Sequence, residues 1–101
     1  MNGENEKNNT ALKEAIVRTV AYFNIFSFPL TSFEIWKFMY GASATLAEVR
    51  KILESGELNY AMEEKNGFYF LYGRSDIIKT RMERYNHAAR KFRRASQMAI
   101  I

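Results

Sequence analysis

The chain has 101 residues, 48% of them hydrophobic and 26% charged, a composition that indicates one folded globular domain and excludes a disordered chain. The absence of cysteine excludes disulfides and thiolate metal sites. The formal net charge of +4 is unevenly distributed, because residues 1–74 sum to −1 and residues 75–101 to +5. The positive charge therefore belongs to the C-terminal segment.

The N-terminus and the hydropathy of the chain predict a cytoplasmic protein that does not associate with membranes. Residues 1–9 are polar after Met1, so they do not form a signal peptide, and we expect a disordered leader there. Asn2 occupies the position where N-myristoylation needs glycine. No apolar run approaches the length that spans a bilayer.

The first predicted helix begins after Thr10, a suitable N-cap, and ends near Asn24. Its apolar residues recur every three or four positions and are Leu12, Ile16, Val20 and Phe23. Pro29 cannot continue this helix, because it lacks an amide hydrogen and disfavours helical geometry in the preceding residue. Six aromatic residues flank Pro29 and are expected to line one shared core: Tyr22, Phe23, Phe26, Phe28, Phe33 and Trp36.

The second predicted helix is short and covers residues 32–40. It begins with a capping box, in which the side chain of Thr31 and that of Glu34, three residues later, bond each other's backbone amides. Gly41 suits its end, since glycine adopts the left-handed conformation that often closes a helix.

A second capping box, Thr45 and Glu48, opens the third predicted helix, and Ser55 and Gly56 close it. Its expected core face consists of Leu46, Val49, Ile52 and Leu53. Only a short linker separates the second and third helices, so the pair is predicted to form a helix-turn-helix.

After the third helix the hydrophobic period changes from 3.6 to 2, which predicts two strands. The residues expected on one face are Leu58, Tyr60 and Met62, and then Phe68, Phe70 and Tyr72. Asn66 and Gly67 form the strongest short-range hairpin signal, because both tolerate positive φ. The extended segment 26–30 is expected to add a short third strand at the edge.

Ser75 is the predicted N-cap of a long helix over residues 76–99. At 1.5 Å per residue this helix is about 36 Å long, which exceeds the breadth of about 26 Å expected for a chain of this length. Its second half is therefore expected to extend past the body of the domain. One side of it forms an apolar seam that contains Tyr85, Ala89, Phe92, Ser96 and Ala99.

The order of helix, helix-turn-helix and β-hairpin predicts the fold class. It is α+β and mainly α, with a winged helix-turn-helix domain over residues 10–74. Residues 75–101 follow as a long basic amphipathic helix.

Three phrases carry a resemblance to a known family: "YFNIF-FPLT--EIW", "NGFYFLYGR" and "RMERYNHAARKFRRA". Over about residues 11–99, the chain resembles the N-terminal winged-helix region that precedes a minimal nucleotidyltransferase-like domain in certain bacterial and archaeal proteins. The resemblance implies that the last helix leads directly into a nucleotidyltransferase core. The apolar ending "SQMAII" fits a chain cut at a domain boundary, so the enzyme half is expected beyond Ile101.

No catalytic residue carries over from this resemblance. Such nucleotidyltransferases have a Gly-Ser turn followed by an Asp-x-Asp metal pair, whereas this chain has no Gly-Ser and a single aspartate, Asp76. Glu63 and Glu64 are adjacent on a strand and so point to opposite faces. His87 has no second His or Cys with which to share a metal. We therefore expect no enzymatic activity, no metal and no cofactor within this chain.

Nucleic-acid binding is the natural alternative for a winged helix. The outward face of the third helix presents Arg50 and Lys51 but also Glu48 and Glu54, so it is close to neutral. The candidate contacts are therefore Arg50 and Lys51, with five further basic residues on the long helix: Arg84, Arg90, Lys91, Arg93 and Arg94.

The apolar seam of the long helix favours a protein partner, since leaving Phe92 exposed forgoes about 1.5–3 kcal/mol. The expected partner is the downstream nucleotidyltransferase-like domain or a second copy of the chain. Our preferred hypothesis is a non-catalytic accessory module that acts through protein contacts. The alternative is a nucleic-acid-binding module.

Overall fold

The computed structural model describes residues 3–87, which form a small, mainly helical α+β domain. The helices in this range are α1 (Gly3–Asn24), α2 (Ser32–Phe38), α3 (Leu46–Ser55) and α4 (residues 76–87). The strands are β1 (Met62–Lys65) and β2 (Phe68–Leu71), which pair as an antiparallel hairpin between α3 and α4. The predicted class, α+β and mainly α, is confirmed.

Helix α1 begins eight residues earlier than the sequence predicted. It starts at Gly3, so residues 3–9 of the expected disordered leader are helical, and the predicted start after Thr10 is wrong. This extension is favoured because each residue added to an existing helix gains a hydrogen bond without a new nucleation cost.

The main core lies between α1, α2 and α3, and the predicted apolar faces of α1 and α3 meet there. Leu12, Ile16 and Val20 of α1 are buried against a set from the other elements, which comprises Leu30, Ile35, Val49, Ile52, Leu53, Leu58 and Met62. Each such side chain contributes about 1.5–3 kcal/mol relative to exposure to water. A second, smaller cluster contains Phe70, Ile77 and Ile78, and it fixes the start of α4 on the hairpin.

Both predicted capping boxes are confirmed. In α2 the amide of Glu34 donates to the hydroxyl of Thr31 at 3.2 Å, and the amide of Thr31 donates to the Glu34 carboxylate at 2.9 Å. The box of Thr45 and Glu48 at α3 has the same pattern. Gly56, with φ of 83°, closes α3 as expected.

Helix α2 ends at Phe38 rather than near Tyr40. Its C-cap is Met39, and the left-handed Gly41, with φ of 86°, lies in the turn towards α3. The guanidinium of Arg18 on α1 crosses this turn and donates to the carbonyl of Tyr40 at 3.0 Å. The end of α2 is therefore fixed by a contact from α1.

The hairpin turn falls where the sequence predicted it. Lys65 pairs with Phe68, and the two connecting residues, Asn66 and Gly67, have φ of 56° and 84°. Positive φ at both central residues is the type I′ arrangement that matches the twist of the flanking strands.

The alternation predicted from Leu58 is wrong before Met62. Residues 56–61 form turns, in which the amide of Met62 donates to the carbonyl of Leu58 at 3.0 Å, so Tyr60 is 78% exposed. The second strand ends at Leu71, and the turn that follows carries Tyr72 outward. Local hydrogen bonds within these turns replace the sheet pairing that the apolar pattern suggested.

The expected third strand is present as a single antiparallel bridge between Leu30 and Tyr69. The amide of Leu30 donates to the carbonyl of Tyr69 at 3.0 Å, and the amide of Tyr69 donates back to the carbonyl of Leu30 at 2.7 Å. This bridge ties the segment between α1 and α2 to the hairpin.

The six aromatic residues around Pro29 do not line one shared core, so this prediction is wrong. Phe23, Phe28 and Trp36 pack against the core. The other three are about half exposed and are Tyr22, Phe26 and Phe33. Tyr22 follows the buried Val20 by two residues, which is roughly 200° around the helix, so it emerges on the opposite face. Within residues 3–87, none of the helices combines the length and apolar character needed to cross a bilayer.

Candidate interaction surfaces

The outward face of α3 is exposed, as the sequence predicted, and its charges balance. Arg50 and Lys51 lie beside Glu48 and Glu54, and all four side chains are exposed. The Nε of Arg50 donates a long hydrogen bond of 3.4 Å to the hydroxyl of Ser32. This helix therefore presents no excess of positive charge to a phosphate backbone.

The junction of α3 with the hairpin is also short of positive charge. The pKa of Tyr69 is raised, first by burial of its phenol and then by the nearby carboxylates of Glu64 and Glu54, while Arg50 acts in the opposite direction. At the hairpin, Glu63 accepts a hydrogen bond from the amide of Gly73 at 2.6 Å. Two carboxylates and one guanidinium thus act on Tyr69, so the charge around its phenol is more negative than positive.

A different face of the molecule carries exposed aromatic groups. We call it the aromatic surface, and it consists of Tyr22, Ile25, Phe26, Phe38 and Tyr40. The exposed fractions of these side chains run from 44% for Phe38 to 75% for Ile25. The rings of Tyr22, Phe26 and Phe38 are linked through Phe23. The ring centroids of Tyr22 and Phe26 are 5.5 Å apart, those of Tyr22 and Phe23 are 5.4 Å apart, and those of Phe23 and Phe38 are 5.3 Å apart.

The aromatic surface encloses a shallow hollow of about 220 Å³ between α1 and the end of α2. Its lining residues are Thr19, Tyr22, Phe23, Phe38 and Tyr40. The hydroxyl of Thr19 is already used, since it donates to the carbonyl of Ala15 at 2.7 Å within α1. The hollow is therefore lined mainly by ring carbon and suits an apolar group.

Three cationic side chains border the aromatic surface. The guanidinium of Arg18 lies over the ring of Tyr40 at 4.9 Å, and the ammonium of Lys37 lies over the ring of Phe38 at 5.8 Å. Arg84 of α4 donates to the carbonyl of Phe26 at 3.4 Å. Of the ion pairs formed between described residues, none includes any of these three.

A third feature is the junction between α4 and the body, which Arg81 forms. Its guanidinium donates to both carboxylate oxygens of Glu34, at 2.8 and 3.0 Å, and to the carbonyl of Pro29. The same group lies over the rings of Phe28 and Phe68, at 4.3 and 4.9 Å. One side chain of α4 thus joins the start of α2, the proline segment and the hairpin.

Glu34 is the second centre of this junction. Burial acts to raise the pKa of its carboxyl group, but the hydrogen bonds and charge of Arg81 and the hydrogen bonds of Thr31 outweigh burial, so the pKa lies below its ordinary value of 4.5. The carboxylate therefore serves the capping box of α2 and the attachment of α4 at once.

The structure places part of the predicted site. Arg84 and Tyr85 lie on α4, and both side chains are exposed. Eight further candidates lie outside the described residues: Arg90, Lys91, Arg93 and Arg94 of the basic set, and Ala89, Phe92, Ser96 and Ala99 of the seam. His87 is exposed, and no group of three His, Asp or Glu side chains within residues 3–87 could hold a metal ion.

Sequence reasoning missed both the aromatic surface and the role of Arg81. A signal existed for the first, because Tyr22, Ile25 and Phe26 recur at three- and four-residue intervals around the end of α1 and outside its core stripe. No local signal existed for the second, since Arg81 and Glu34 are separated by 47 positions.

Comparison of the chain with protein-family models, with curated proteins and with solved structures gave no match.

Proposed function

We propose that the chain is a non-catalytic winged-helix module that acts through protein contacts. The observation that carries this proposal is the aromatic surface of α1 and α2. Its five members are each about half or more exposed, and an aromatic side chain offers about 150–250 Å², so together they expose on the order of 500 Å² of apolar area. Patches of about 300–600 Å² on a monomer are often functional.

The winged-helix architecture is supported by the order and pairing of the elements. Helix α1 precedes the helix-turn-helix of α2 and α3, and the hairpin follows. Leu30, between α1 and α2, pairs with Tyr69 of β2, which supports a small three-stranded arrangement at the base of a wing.

The partner that the family resemblance names is a nucleotidyltransferase-like domain reached through the last helix. The Arg81 junction supports a positioning role, because its contacts attach the start of α4 to α2 and to the segment before it. Tyr85, the member of the predicted seam that lies within the described residues, is 68% exposed. A second copy that covers the same seam is the alternative protein partner, and a cytoplasmic location stays a prediction.

Nucleic-acid binding is the second candidate function, and the exposure of Arg50 and Lys51 on α3 favours it. The charge balance of that face argues for the protein partner instead, since phosphate contacts need several uncompensated basic residues.

Fluorescence anisotropy separates the two functions. The full chain is titrated against labelled duplex DNA and hairpin RNA at about 50 and 200 mM salt, where phosphate contacts lose affinity steeply. We expect no sub-micromolar binding at either concentration. Sub-micromolar binding that is lost in the Arg50→Ala/Lys51→Ala variant would overturn the proposal. Binding lost only on alanine substitution of the basic residues from Arg84 to Arg94 would assign nucleic acid to the long helix instead.

The reading frame downstream of Ile101 provides a separate test of the proposed partner. A Gly-Ser turn followed by Asp-x-Asp there supports a nucleotidyltransferase-like domain, whereas an unrelated sequence or a stop codon removes that partner.

A further inference from the structure

We propose that the aromatic surface binds a peptide segment that has an apolar anchor flanked by carboxylates. This inference rests on the proposed function, because it specifies the chemistry of the protein partner. The hollow would take the anchor, and the bordering cations Arg18, Lys37 and Arg84 would pair with the acidic flanks.

The size and lining of the hollow suit one large apolar side chain. A volume of about 220 Å³ exceeds the roughly 150 Å³ of an engineered protein cavity that admits benzene, so one large apolar side chain fits. Rings form four of its five lining residues, and the Thr19 hydroxyl is bonded within α1. A Leu, Phe or Trp side chain would therefore be favoured over a polar one.

Positive charge borders the aromatic surface. The described residues carry eleven basic and eleven acidic side chains, so their formal charges cancel, yet three cations that form no ion pair with another described residue border this one surface. The acidic residue of α2, Glu34, is held by Arg81. Glu14 on α1 and Glu83 on α4 are exposed, and neither lies within ion-pair distance of a described cation. Opposite charges on a partner would meet this excess and increase its association rate.

The rings of the aromatic surface favour a peptide over a nucleic acid, although nucleic acids also bind to rings and positive charge. Single-stranded nucleic acids bind by stacking bases on open ring faces. Here Arg18 lies over one face of the Tyr40 ring, and Lys37 lies over one face of the Phe38 ring, so a cation competes with a base on both rings. A shallow hollow lined by rings also suits a side chain better than a flat base.

The test uses two acetylated 14-residue helical peptides that share Leu and Trp anchors and differ only in their flanks, which are Glu in one and Lys in the other. Each is titrated into the ¹⁵N-labelled full chain, and chemical shifts are followed. We expect saturable changes at Thr19, Tyr22 and Tyr40 with the Glu-flanked peptide and at least about tenfold weaker binding of the Lys-flanked one.

Two variants and their matched controls locate the contact. Lys37→Glu, at an exposed site, should lower the affinity for the Glu-flanked peptide by about two- to fivefold and raise the affinity for the Lys-flanked peptide. Lys51→Glu, equally exposed on α3, should change neither affinity. Tyr22→Ser should abolish binding, whereas Tyr60→Ser, at a more exposed tyrosine elsewhere, should not.

Four outcomes would overturn the inference: equal affinity for both peptides, no saturable change, changes confined to α3 and the hairpin, or tighter binding of an oligouridine at the same residues. Concentration-dependent shifts at the aromatic surface without peptide would also overturn it, in favour of a second copy. The proposed function has its own test, because it would be overturned by nucleic-acid binding through Arg50 and Lys51. Equal affinities for the two peptides would overturn only the inferred chemistry of the partner.

Discussion

The guanidinium of Arg81 and the carboxylate of Glu34 form a two-point ion pair, with both N–O distances at 3.0 Å or less, although 47 positions separate the residues in the sequence. Their side chains are only 22% and 21% exposed. This pair joins α4 to the capping box of α2, so two parts of the fold depend on a single contact.

Replacing Arg81 by alanine should destabilise the domain by about 2–3 kcal/mol, because the variant loses two ring contacts and leaves a half-buried carboxylate without its cation. Arg81→Lys keeps the charge but not the planar fork and should cost less. Urea denaturation followed by circular dichroism measures the free energy of unfolding of both variants. The matched control is Arg84→Ala, at an exposed arginine on the same helix, and a loss as large as that of Arg81→Ala would contradict the assignment.

Stability should depend on pH through Glu34. Its pKa lies below 4.5 in the folded state, so its contribution is present above that value and is lost as the pH falls through the folded pKa. Glu34→Gln should therefore be less stable than the native chain at pH 7, and the difference should shrink as the pH falls below about 4.5. Urea midpoints at several pH values between 7 and about 3 measure it. A difference that does not vary with pH would refute the role of the charge.

Gly41→Ala should destabilise the turn between α2 and α3 by about 1–2 kcal/mol. The backbone φ of 86° disfavours any side chain, and an added Cβ would lie 2.5 Å from the Nη2 of Arg18. Gly73→Ala is the matched control, since its φ of 84° is nearly the same but an added Cβ there would meet no described heavy atom within 4 Å beyond its own chain neighbours. Thermal denaturation should give a larger loss at Gly41, and equal losses would exclude a contribution from Arg18.

Loss of the N-cap threonine should lower the free energy of unfolding by different amounts at the two capping boxes. Thr45→Ala at the exposed box of α3 is expected to cost about 1 kcal/mol, the usual value for a lost N-cap. Thr31→Ala should cost more, because Thr31 also donates to the Glu34 oxygen that Arg81 binds. Equilibrium unfolding in urea gives the free energy of unfolding of both variants for this comparison. A smaller loss for Thr31→Ala would mean that Arg81 holds Glu34 without help from the threonine.

The elements that sequence reasoning predicted correctly depend on short-range chemistry. A capping box needs residues three apart, and the turn at Asn66 and Gly67 needs two adjacent residues, so each can be identified within a few positions. The apolar stripe of α3 was equally local, and the structure buries Val49, Ile52 and Leu53 as expected.

The features that could not be predicted depend on what lies next to a residue in space. Tyr22 and Phe28 are both aromatic and lie six positions apart, but no neighbouring element covers Tyr22 within the described residues. Arg81 was assigned to no role, because its partners come from three distant segments. An unbroken apolar alternation likewise could not reveal that turn hydrogen bonds would expose Tyr60.

The bridge between Leu30 and Tyr69 affects how the domain resists aggregation. Strand β2 is paired with β1 on one side and with Leu30 on the other, so the open edge in the described part of the sheet is that of β1. Three of its four residues are charged: Glu63, Glu64 and Lys65. Short, charged edges disfavour pairing with strands of other molecules. The hairpin is therefore protected from edge-to-edge polymerisation, and the residues of the aromatic surface lie outside its strands, so they do not extend this edge.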